Sequence, residues 1–163
     1  MPTISVRPIS KHHTVKIIAP DLTKQPPRSP RVRLGGYCLL PRILDKCRAM
    51  LAKQNGEYNF DCPTDQEFFG FSGITAQAFK KEVAKGKSDS EMLDWVRKNA
   101  KRQPVASEIA AWTDYQNLRA PSEVEGREFL HECHVKLAPQ RDDIVTWCDL
   151  LDLDDYVSFG GRP

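Results

Sequence analysis

The sequence predicts an all-α fold: about seven mostly short helices behind an extended, β-poor N-terminal arm. Three observations predict it. Apolar residues recur at offsets of three and four along most of the chain, the spacing of one helix face. Three Ser/Thr-x-x-Glu signatures stand where such stripes begin. The links between stripes are short and leave little room for sheet. At 163 residues the chain fits the prior of about 150 residues per domain. We therefore divide it into an arm, 1–20, and a single helical domain, 21–163.

Within the arm, β-branched residues dominate 14–18 and are compatible with a short strand. Pro26, Pro27 and Pro30 fix their own φ and restrict the residues before them, so 21–33 reads as an irregular loop. Gly35-Gly36 punctuates the chain after it. Leu40, Ile43, Leu44, Cys47, Met50 and Leu51 then form the strongest helical stripe, with Pro41 tolerated in its first turn. Asn55-Gly56 suits a turn, and Glu57 to Phe60 is compatible with a short strand. Thr64 and Glu67 have capping-box spacing for a helix through Phe68, Phe69 and Phe71. Thr75 can cap the next helix, which carries Phe79 and Val83 and stops by Gly86. Ser88 with Glu91 starts a helix bearing Met92, Leu93 and Val96. Pro104 opens one with Val105, Ile109 and Trp112. Ser122 with Glu125 precedes Leu130, Cys133 and Leu137, and Pro139 ends that segment. Asp142-Asp143 suits the N-terminus of a last helix carrying Ile144, Trp147, Cys148 and Leu151.

Composition excludes several classes. With 40% hydrophobic residues, 28% charged residues and a mean hydropathy of -0.52, the chain is neither collagen-like nor mostly disordered. No run approaches the roughly 18 apolar residues of a membrane helix, so no membrane partner is expected. Five cysteines with no Cys-x-x-Cys pair, and no apolar leader, point to reduced thiols in the cytoplasm, packed as small hydrophobes. No motif calls for a cofactor.

The net charge of +2 conceals a split. Residues 1–50 hold ten Lys/Arg against two Asp/Glu, and the remainder holds fourteen against twenty. The basic segment suits an anionic partner, or packing across the acidic remainder of its own chain. Nucleic-acid binding through the arm is an alternative that the composition does not favour. The pI of 8.3 lies below the value of about 9 typical of such domains, and the arm has few aromatics.

The runs DLTKQPPRSPRVRLGGY (21–37), LPRILDKCRA (40–49) and NGEYNFDCPTDQEFF (55–69), followed by KGKSDSEMLDWVRKNA (85–100) and RDDIVTWCDLLDLDDYVSFGG (141–161), occur in order. Together they resemble a bacterial family known only as the domain of unknown function numbered five-zero-six-nine. The likeness covers about residues 19–161. It implies a small stand-alone bacterial domain and brings no activity, cofactor or site residues.

The chemistry is therefore read from the residues. Arg28, Arg31 and Arg33 precede Gly35-Gly36 and Tyr37, and Arg42 lies in the first turn of the strong helix. Glycines admit a ligand to backbone N–H groups, a helix N-terminus adds positive potential, and guanidinium forks take phosphate or carboxylate. This predicts a site for a small anionic metabolite at Arg28, Arg31, Arg33, Gly35, Gly36, Tyr37 and Arg42. The competing expectation pairs these arginines with acidic turns around Asp149, Asp152, Asp154 and Asp155. Neither a P-loop nor a dinucleotide fingerprint is present. Glu128 and His131 have the Glu-x-x-His spacing of di-iron bundles, and His134 shares their helix, but a second such motif is missing and no metal is expected. If the chain is an enzyme, Asp65 or His131 would be its acid–base group, with no reaction class assigned. A protein-interaction or structural module without a small ligand is the other reading.

Overall fold

A computed structural model describes residues 17–163, and within them the chain forms seven α-helices and no strand. The expected strand at 14–18 falls mostly outside the described residues, and 17–20 has no regular structure. The helices are α1 (Leu40–Leu51), α2 (Pro63–Ser72), α3 (Ala76–Val83), α4 (Asp89–Asn99), α5 (Ala106–Leu118), α6 (Val124–Leu137) and α7 (Trp147–Ser158).

The stripe Leu40, Ile43, Leu44 and Cys47 puts α1 into the main core, where all four side chains are fully buried. Phe68 and Phe69 of α2, Phe79 and Val83 of α3, Met92 and Val96 of α4 and Ile109 of α5 pack around it. Tyr37, Phe68, Phe71 and Trp112 meet mostly edge to face, while Phe71 and Trp112 lie parallel with ring centres 4.8 Å apart. A second, smaller cluster joins α6 and α7 through Leu130, Ile144, Leu150 and Leu153, with Trp147 half-buried beside it.

The other face of α1 is charged, yet it is buried too. Arg42, 4% exposed, holds Asp155 of α7 through two bonds of 2.6 and 3.1 Å. The Tyr58 hydroxyl donates to the same carboxylate at 2.8 Å. Lys46, also 4% exposed, donates to Asp65 of α2 at 2.7 Å and lies 3.3 Å from Cys62 Sγ. Asp45 accepts a bidentate pair from Arg28, whose remaining nitrogen reaches Asp89 of α4 at 2.6 Å. Arg48 closes on Asp89 at 2.5 Å. One helix thus ties the proline-rich loop, α2, α4 and α7 together through charge.

The caps differ from the expectations at several places. Thr75 and the Ser88–Glu91 box cap α3 and α4 as expected. At α2, Cys62 takes the N-cap position and Thr64 falls inside the first turn, because Pro63 at the first helical position sets the start. Ser122 does not cap α6, whose N-cap is Glu123; the Ser122 hydroxyl bonds the Glu123 carboxylate instead. The α7 box is formed by Thr146 and Asp149, while Asp143, upstream, is taken by Arg141. Residues 57–60 form no strand: Tyr58 N–H bonds Asn55 C=O to close a turn at Gly56-Glu57, 58–59 is irregular, and the Tyr58 hydroxyl reaches Asp155.

All five cysteines are unpaired thiols. Burial pushes Cys38 up to about 11 and Cys47 up to about 12. Thiol reagents act on the thiolate, so an Ellman titration at pH 8 should modify Cys38 and Cys47 only after denaturant is added.

Removing Asp155 strands a buried guanidinium. Asp155→Ala should cost about 3–5 kcal/mol in urea unfolding, whereas the Arg42→Met/Asp155→Leu pair, which removes both charges, should recover most of that loss.

Candidate functional site

The loop that carries the predicted site is built by proline and glycine chemistry. Pro30 C=O accepts from Leu39 N–H at 2.9 Å, which folds 31–38 outward as a closed excursion before α1. At its tip Leu34 and Tyr37 exchange both backbone hydrogen bonds, at 3.0 and 3.1 Å. The two residues between them, Gly35 and Gly36, have φ of 60° and 92°. Positive φ at both central positions is what a tight two-residue reversal of this hand requires, and glycine supplies it without penalty. Space adds a second reason: a Cβ on Gly35 would stand 2.5 Å from the Leu93 side chain. Thr113 of α5, fully buried, pins the loop. Its hydroxyl donates to Gly36 C=O at 2.8 Å and accepts from Cys38 N–H at 3.1 Å.

The four arginines of the expected site part company. Arg28 lies on Asp45 and Asp89, and Arg42 on Asp155. Arg31 binds Asp149, Asp152 (3.2 Å) and the Asn117 carbonyl (3.2 Å), beside a separate cavity of about 470 Å³. Arg31 and Arg42 thus meet carboxylates of α7, as the competing expectation had it, whereas Arg28 pairs instead with Asp45 of α1 and Asp89 of α4. Arg33 differs. Its contact with Asp114, at 3.0 Å, joins two half-exposed side chains, an arrangement worth little in water.

Arg33, Gly35, Gly36 and Tyr37 line one cleft of about 440 Å³. Opposite them stand Arg97 of α4, Gln103 of the α4–α5 link, and an apolar wall made by Ala100, Pro104, Ala106, Ile109 and Ala110. Arg97 is exposed, and its nearest carboxylate, Asp94, is 4.0 Å away. Among the described residues, the backbone N–H groups of Gly35 and Gly36 and the Tyr37 hydroxyl have no hydrogen-bond partner. The Tyr37 side chain is only 1% exposed. Burial raises its phenol pKa, opposed by the nearby Arg97 charge, so at neutral pH it is a donor. The cleft thus offers two guanidinium groups, a phenol and two glycine amides.

Sequence reading placed Arg33, Gly35, Gly36 and Tyr37 together but missed Arg97, Gln103 and Ile109. Nothing in the sequence told that the link after α4 folds back against the glycine turn. The remaining candidates are apart from the cleft. Asp65 is spent on Lys46. His131 is exposed on α6, and His134 has a buried Nε2 without a partner. No group of three His, Cys, Asp or Glu side chains with metal-binding geometry exists among the described residues. No helix among them is long and apolar enough to cross a membrane.

The family model described as a domain of unknown function, DUF5069, matches residues 24–157. The chain belongs to this family. The matched region holds the loop, the cleft and the ion pairs of α1, so in this DUF5069 chain they are parts of the family domain. No curated protein matches the chain.

One titration follows from the arginine pairs. Burial raises the Asp89 pKa, but hydrogen bonds from Arg28 and Arg48 outweigh it and leave the carboxyl below its usual 3.8. A depressed folded-state value gives stability that is present above the unfolded pKa and lost as pH falls through the folded one. Acid unfolding should therefore steepen below about pH 4, and Asp89→Asn should flatten that limb while lowering stability at pH 7.

Proposed function

We propose that this DUF5069 protein binds a small anionic ligand, a phosphate or carboxylate metabolite, in the cleft between the glycine turn and the α4–α5 link. Arg33 and Arg97 hold the charge, with Tyr37 and the amides of Gly35 and Gly36 as further donors. Arg28, Arg31 and Arg42 act as scaffold that fixes the loop. The observation that carries this reading is the different fate of the arginines: those bridging the helices are committed to carboxylates, while Arg33 and Arg97 face one cleft with loose, solvent-exposed partners. A guest anion would replace such a partner at little cost, because exposed pairs are weak and screened. Five unpaired thiols suit a reducing compartment, and we place the protein in the cytoplasm.

A thermal-shift and calorimetric screen of inorganic phosphate and simple carboxylates tests this. Wild type should be stabilised. Arg33→Ala and Arg97→Ala should each weaken binding about tenfold or more, the scale of a lost charged hydrogen bond. Equal binding by both variants discards the site.

A second reading, an interaction module, is favoured by exposed apolar side chains on and around α5, α6 and α7. Leu118 (74% exposed), Val124, Phe129 and Val145 stand exposed, and Phe129 lies against Trp147. On that reading Phe129→Ser abolishes a concentration-dependent association seen by light scattering in wild type.

A further inference from the structure

The walls of the cleft say more about the guest than its charge. Resting on the anion-site reading, we propose that the ligand is a carboxylate carrying a short apolar body, not a bare inorganic anion. Its carboxylate would sit between Arg33 and Arg97, and its carbon chain or ring would lie on Ile109, Ala106 and Ala110.

Three observations support this. The first is room. About 440 Å³ lies within the range of sites that enclose organic ligands, while a bare anion would leave most of it to water. The second is the wall: across from the glycine turn, beside the polar Arg97 and Gln103, Ala100, Pro104, Ala106, Ile109 and Ala110 present methyl and methylene groups, so this part of the face rewards contact with carbon. The third is Tyr37. Its ring is held on edge by Phe68, Phe71 and Trp112 at the cleft wall, and its hydroxyl makes no bond to another described residue. A ligand oxygen in the cleft would accept a hydrogen bond from it.

The charge argument selects carboxylate over phosphate. Arg33 already pairs with a carboxylate, Asp114, and Arg97 stands near another, Asp94. A ligand carboxylate exchanges like for like on Arg33. A dianion would bring a second negative charge into a site whose two guanidinium groups already have two acidic neighbours.

Calorimetry on the full chain at neutral pH, with acetate, butanoate, hexanoate, hexan-1-ol and inorganic phosphate as probes, decides the matter. Affinity should rise from acetate to hexanoate by up to about fourfold per buried methylene. Hexan-1-ol should bind far more weakly than hexanoate, and phosphate more weakly than butanoate. Tyr37→Phe, which keeps the ring, should weaken hexanoate about tenfold. Ile109→Asn should level the carboxylate series. Because Ile109 is part of the core, Ala110→Glu, at an exposed wall position, serves as the second variant and should suppress hexanoate. Equal affinity for acetate and hexanoate, still lost in Arg33→Ala, overturns the apolar body but keeps the anion site. Preference for phosphate over every carboxylate overturns the ligand class alone. Hexan-1-ol binding as tightly as hexanoate overturns the charged anchor, and failure of every anion to bind overturns both proposals.

Discussion

The structure depends on the charged face of α1 being matched, group by group, by charges from elsewhere in the chain. An amphipathic helix ordinarily turns such a face to water. Here Arg42, Asp45 and Lys46 are all below 10% exposure, and each meets an opposite charge: Asp155, Arg28 and Asp65. Taking these ions out of water is costly, and only close pairing with additional hydrogen bonds offsets it. The extra bonds are present: Tyr58 on Asp155, Asp61 N–H on Asp65, and Pro41 C=O for Arg28. Since the partners come from the loop, α2, α4 and α7, the pairs select one arrangement of these elements, where apolar packing alone tolerates several.

The same pairs prepare the candidate site. Arg28 and Arg31 anchor the root of the loop, and Thr113 pins its tip to α5. The glycine turn is therefore held before any guest arrives, which lowers the ordering cost of binding. Arg33 and Arg97, by contrast, are exposed side chains with weak partners at the edge of this frame. A held turn with exposed cations suits the anion binding proposed for the cleft.

Much of the fold was legible. Helical stripes located all seven helices, because their apolar faces repeat plainly and the links are short. Caps were read less well. Ser/Thr-x-x-Glu spacing marked α4 correctly but shifted the starts of α2 and α6, since Pro63 and the Glu123 backbone decided those ends locally. The site was half legible. Arginine density at 28–42 was plain, and so was the supply of acidic partners in α7, but which guanidinium meets which carboxylate depends on long-range packing: Arg31 with Asp149, Arg42 with Asp155. Arg97 carries no local signal at all; it joins the cleft only because α4 returns beside the turn.

The double-sided burial of α1 also constrains descent. A lone change at Arg42, Asp155, Lys46 or Asp65 strands an ion, so these positions can drift only as couples, through charge swap or joint loss. Related chains should therefore show them varying in concert, while Arg33 and Asp114, facing solvent, are at liberty to part.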